Sequence, residues 1–170
     1  ATTTDGYWAW QPLNKIKPPA VYDEAWCRTP IDRFVLARLE AAGIAPPPAA
    51  SKFALIRRAC FDLTGLPPRQ EDIDAFMQDN ETGAWERALD RLLASPHYGE
   101  RWARHWLDLV RYAETNGFER DSAKPEVWRY RDWVVNAFNQ DMPYNEFVKL
   151  QIAGDIIDQD NTLDVATGFF

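Results

Sequence analysis

The stretch Ser95-Pro96-His97-Tyr98-Gly99-Glu100-Arg101-Trp102-Ala103-Arg104-His105-Trp106-Leu107-Asp108-Leu109-Val110-Arg111-Tyr112 decides the fold class of this chain. Ser95 followed by Pro96 is a helix start: a serine hydroxyl accepts from an orphan amide, and proline has its φ preset and no N–H to lose. At about 100° per residue, Trp102, Trp106, Leu109, Val110 and Ala113 gather on the side expected to meet a core. His97, Arg101, His105, Asp108 and Tyr112 share a second arc of about 80°. Glu100, Arg104 and Arg111 fill the rest. The pattern predicts an amphipathic helix from Pro96 to about Glu114.

Working outward, the same grammar recurs. Thr29-Pro30 opens a helix with Ile31, Phe34, Val35, Leu39 and Ala42 in a stripe, closed by Gly43 and barred by Pro46-Pro47-Pro48. Ser51 caps a second helix to about Leu63, with Phe53, Ile56, Ala59, Cys60 and Leu63 inward, and Thr64-Gly65-Leu66-Pro67-Pro68 turns the chain. Short helices are expected over Gln70–Met77 and Ala84–Ala94. Pro125 opens another to about Asn139, and a last one covers Pro143–Ala153. No run alternates over five residues or more, so the prediction is all-α: six or seven helices in an orthogonal bundle. Residues 1–29, with Tyr7-Trp8-Ala9-Trp10, read as an extended aromatic N-terminal arm, and residues 30–170 as one helical domain.

Composition narrows the function classes. The 170 residues carry 19 Lys plus Arg against 26 Asp plus Glu, a formal charge of −7, and 46% hydrophobic residues including 8 Trp. That is ample for a core, and it lacks the basic footprint of a nucleic-acid binder. No apolar run approaches the roughly 18 residues of a membrane span, so no membrane insertion is expected. Cys27 and Cys60 belong to no CxxC pair, and with His97 and His105 as the two histidines a three-histidine metal site is excluded within this chain. A disulfide between the cysteines and a buried Cys60 thiol both fit. GxSxG, phosphate-loop and HExxH signatures are absent.

The polar arc is the candidate site. Residues three and four apart touch on a helix, so His105 is expected to meet Asp108 and Arg101, and a carboxylate beside an imidazole fixes its tautomer for proton transfer or ligation. Arg129 and Asp132 on the following helix are candidate partners of the same network, together with Asn136. The competing reading is structural: Arg–Asp pairing that docks two helices, since a buried unpaired charge is costly. Glu114, Asn116, Glu119 and Asp121, and further on Asp155, Asp158, Asp160 and Asp164, supply oxygens without an EF-hand spacing. Trp8 and Trp10 could stack on a sugar.

Phe61-Asp62-Leu63-Thr64-Gly65-Leu66-Pro67-Pro68, the Ser95–Asp108 stretch, Trp128-Arg129-Tyr130-Arg131-Asp132-Trp133, Asp141-Met142-Pro143-Tyr144 and Gln151-Ile152-Ala153-Gly154-Asp155 stand together in that order. Over roughly residues 7–170 the chain resembles the planctomycete cytochrome-c-associated domain family of unknown function. The resemblance implies an exported, periplasmic or cell-surface multidomain protein, of which this chain is the N-terminal portion of a larger domain. It implies no cofactor within these residues and a c-type haem elsewhere in the full-length protein, where the family continues into a CxxCH segment. The implied partners are other domains of the same polypeptide and a redox protein. The expectation is a module that supports electron transfer or haem packing, against the alternative of an enzyme or binding module acting on extracellular polysaccharide with Asp108, Glu114 or Asp132 as acid and base.

Overall fold

Pro30 to Ala41 form the first helix, α1, and its start shows how the local chemistry sets the structure. Thr29 is extended, and the Asp32 carboxylate reaches back to accept from the backbone N–H of Thr29 at 2.7 Å and of Arg28 at 2.8 Å. These bonds hold the Asp32 carboxyl below its ordinary pKa, the Thr29 amide contributing most. The protein is described from a computed structural model, which covers residues 7–13, 15–118, 121–157 and 164–168. The chain divides into two compact units, residues 1–49 and 50–170. In the first, the arm is irregular apart from 3-10 turns at Trp8–Trp10 and Glu24–Trp26. It is fastened to α1 by Glu40, which accepts from the Tyr22 N–H at 2.9 Å, and by an Arg33–Glu24 ion pair at 3.1 Å.

The second unit holds α2 (Lys52–Leu63), α3 (Gln70–Gln78), α4 (Ala84–Leu93), α5 (Pro96–Leu109), α6 (Trp128–Asn139) and α7 (Tyr144–Ile157). The fold is all-α, and no strand occurs among the described residues; Thr115 and Ala123 form an isolated antiparallel bridge. Two cores result. One joins Ile56, Ala59 and Cys60 of α2 to Phe76 of α3 and Ala88 and Leu92 of α4. The other joins Ala103 of α5, Tyr130, Val134 and Ala137 of α6, and Phe147 of α7. Trp106 meets Phe147 edge-on at 4.9 Å, and Trp133 stacks on Phe147 at 5.2 Å.

Helix α5 is rotated from its expected setting. Gly99 and Ala103 are buried, Trp106, Leu107 and Val110 are partly buried, and Trp102 and Leu109 are 36% and 73% exposed. The smallest residues, not the largest, face α6, because they let the backbones approach. Asn139 of α6 accepts from the Gly99 N–H at 2.8 Å and donates to the Pro96 carbonyl at 3.1 Å, fixing the start of α5.

Helix α5 also ends at Leu109 instead of near Glu114. Arg111 adopts a left-handed conformation, φ 54°, and the Tyr112 N–H returns to the Leu107 carbonyl at 2.9 Å, a Schellman closure. Asp141, φ 50°, closes α6 in the same way, with Met142 bonded to Ala137 at 3.0 Å. Helix α7 continues past Ala153, where the backbone kinks, as far as Ile157.

Candidate functional site

The polar arc of α5 does not act as one network; its members separate along the helix. At the N-terminal end, His97 Nδ1 lies 2.7 Å from Glu100 Oε2. Arg101 lies across the turn that closes α2: a Cβ on Gly65 (φ +72°) would fall 2.8 Å from Arg101 Cδ. Its Nε is buried without a hydrogen-bond acceptor, the one such side-chain atom among the described residues. Nearby α2 carbonyls are already used, Cys60 by Thr64 and Phe61 by the Gly65 N–H. A cleft of about 580 Å³ is lined here by Phe61, Asp62, Gly65, His97, Arg101 and Arg104. The fold thus brings the Phe61–Pro68 motif to the Ser95–Asp108 motif.

In the middle of the arc, His105 is exposed, with its ring 5.3 Å from that of Trp102. Asp108 is exposed as well, and neither side chain makes a hydrogen bond or ion pair among the described residues. The expected contacts of His105 with Asp108 and Arg101 are not made.

At the C-terminal end, Tyr112 donates to Glu114 at 3.1 Å. Arg131 of α6 donates to the same Glu114 oxygen at 3.2 Å and, through Nε, to Asp132 at 2.9 Å. Burial, and then the Glu114 bond, raise the Tyr112 pKa; the Asp132 bond chiefly raises that of Arg131. The arc therefore does reach Asp132, through Glu114 and Arg131. Arg129 is instead paired with Glu126 at 2.8 Å, and Arg129, Asp132 and Asn136 line a separate cleft of about 680 Å³.

The other candidates resolve individually. Cys27 and Cys60 are free thiols, and burial pushes both thiol pKa values up, which argues against a reactive thiolate. Asp121 accepts from the Gly117 N–H at 2.8 Å, a bond that lowers its pKa, and Asn116 bonds Ser122. These bonds hold the loop itself. Among the described residues no three His, Cys, Asp or Glu are grouped to hold a metal ion; Glu119, Asp158 and Asp160 lie outside them. Trp10 is 73% exposed.

Sequence reasoning missed the best-satisfied polar cluster. Trp106 Nε1 donates to Tyr130 Oη and Gln151 Oε1, both at 3.0 Å, and Tyr130 donates to Gln151 at 2.6 Å. The available signal was Gln151 set between Leu150 and Ile152, one turn after Phe147.

The fold and these sites define an all-helical module with an arginine-lined cleft and, on one helix face, an exposed imidazole without a hydrogen-bond partner among the described residues. The chain belongs to the PSCyt2 family, described as protein of unknown function (DUF1549), whose model matches residues 30–170. No curated protein and no solved structure matches it.

Proposed function

We propose that this chain is a non-catalytic helical module of an exported, cytochrome-c-associated redox protein, and that the exposed face of α5 receives another segment of the same polypeptide. The supporting observation is His105. Its imidazole is exposed and without a hydrogen-bond or ion-pair partner among the described residues, beside a partly exposed Trp102 and one turn from the exposed Leu109, whereas His97 is tied to Glu100. An untethered imidazole next to apolar surface suits a planar hydrophobic group with a metal at its centre. If such a group binds, His105 is the residue of this chain that would hold it. A c-type haem, when bound, supplies one-electron chemistry. This chain's residues orient and shield it, and the net charge of −7 suits a basic redox partner.

The polysaccharide-enzyme alternative draws less support. A general acid needs surroundings that keep a carboxyl protonated. Glu114 and Asp132 instead both pair with the Arg131 guanidinium, at 3.2 and 2.9 Å.

The test is a dithionite-reduced minus air-oxidised visible spectrum of the full-length protein, comparing wild type, His105→Ala and His97→Ala. Bands that shift in His105→Ala alone are the expected result. Identical bands and identical midpoint potentials in all three overturn the assignment.

A further inference from the structure

The geometry points to a carboxylate-binding site in the cleft between the Thr64-Gly65-Leu66 turn and α5, where Arg101 and Arg104 receive the single negative charge of an organic acid. Three observations converge there. First, Arg101 is a half-buried guanidinium without a carboxylate partner among the described residues, and its Nε is sealed from solvent without an acceptor there. A buried cation of this kind is costly unless an anion completes it. Second, Arg104 lines the same cleft and is likewise unpaired among the described residues, so two guanidiniums one turn apart face one space. Third, Gly65 leaves the gap that the Arg101 side chain fills, which holds the guanidinium against the turn instead of letting it swing into solvent.

The lining also selects the ligand. The Asp62 and Glu100 carboxylates share the wall, Glu100 being already matched to His97. With two carboxylates already in the wall, the cleft disfavours the two charges of a phosphate monoester more than the one of a carboxylate. About 580 Å³ is more than a bare ion needs and lies in the range of small-molecule pockets. Phe61 and Leu66, 39% and 44% exposed, offer apolar wall, and Asp62 offers an acceptor for hydroxyls. The ligand is a carboxylate on an organic body. This site stands apart from His105 and does not depend on the haem reading.

Equilibrium dialysis of the full chain against radiolabelled glucuronate, phenylacetate and inorganic phosphate tests the assignment without requiring haem. Saturable retention of a carboxylate, weakened about tenfold by Arg101→Gln and by Arg104→Gln but not by Arg58→Gln, is the expected outcome. Tighter glucuronate indicates a hydroxylated body read by Asp62; tighter phenylacetate indicates an apolar body against Phe61 and Leu66. Arg104 is exposed, so Arg104→Gln remains decisive even if Arg101→Gln unfolds. Retention of neither acid, retention unchanged in Arg104→Gln, or phosphate held as tightly as the carboxylates overturns the proposal.

Discussion

Gly99 sets the spacing between α5 and α6. A Cβ added there would lie 2.4 Å from the Val135 carbonyl oxygen and 2.6 Å from Asn139 Cγ, and the first of these is backbone that cannot rotate away. Helix propensity alone would make Gly99→Ala stabilising by up to about 1 kcal/mol. The steric term is larger and of opposite sign, because separating two packed helices also breaks the Asn139 bonds that fix the start of α5. Gly99→Ala is therefore expected to destabilise by about 2–3 kcal/mol, and Asn139→Ala by about 1–2 kcal/mol. Urea unfolding with an unchanged slope measures both; a stabilised Gly99→Ala would show that the helices do not touch at this residue. The same glycine explains why the buried face of α5 was misplaced from sequence. Hydrophobic weight points to Trp102 and Leu109, but proximity between backbones is set by Gly99 and Ala103, whose small size carries no signal on a hydropathy wheel. The separation of His105 from Asp108 was equally hidden: spacing puts two side chains within reach, and does not make them choose each other over water.

At the scale of elements, the starts of α1, α2 and α5 and the ends of α1, α2 and α6 were legible, and the end of α5 was not. Thr29-Pro30, Ser51 and Ser95-Pro96 announce α1, α2 and α5 because capping is chemistry local to a few residues. The end of α5 depends on Arg111 in a left-handed conformation, which glycine normally supplies, so nothing in the residue types marks the stop; Asp141 closes α6 in the same conformation, after the expected Asn139. What joins α5, α6 and α7 afterwards is the Trp106–Tyr130–Gln151 cluster, one residue from each helix. Gln151 accepts from both partners and spends its own amide on the Phe147 carbonyl at 3.4 Å, leaving every member satisfied. Such a cluster is worth more than its separate bonds. Tyr130→Phe leaves Gln151 available to Trp106 and is expected to cost about 1–1.5 kcal/mol. Gln151→Leu strands the Tyr130 hydroxyl, while Trp106 keeps Tyr130 Oη as its acceptor, and is expected to cost about 1–3 kcal/mol. A double-mutant cycle in thermal unfolding should return a coupling of about 1 kcal/mol or more between the two positions; additive losses would mean that the three helices are held by ring packing alone.

For the whole molecule, the titrating groups with shifted pKa values divide cleanly by sign. Asp32, Asp79 and Asp121 are lowered, chiefly by the Thr29 amide, the Arg87 guanidinium and the Gly117 amide respectively. A carboxyl lowered in the folded state stabilises above its unfolded value of about 4 and loses that contribution as pH falls through the folded value. Tyr112, Tyr130 and Cys60 are raised, each chiefly by burial. Their neutral forms favour the folded state, so their contribution is complete below the unfolded values of about 8.5 for a thiol and 10 for a phenol, and is lost as pH rises through the folded ones. Stability should therefore be flat from about pH 5 to 8 and fall on both sides. Net charge acts differently. With a formal charge of −7, protonation toward the isoelectric region relieves self-repulsion and favours the compact state, opposite to the loss of the three carboxylate sites. Salt separates the two effects, because it screens repulsion between exposed charges while leaving short hydrogen bonds to backbone amides largely intact. Melting temperature followed by circular dichroism between about pH 2 and 11, at low and high salt, should keep its acid edge in both. Asp79→Asn, which weakens the Arg87 pair at 2.7 Å, should lower the neutral plateau and make the acid edge shallower. An acid edge that disappears at high salt, or one that Asp79→Asn leaves unchanged, would assign acid sensitivity to overall charge instead of to these carboxylates.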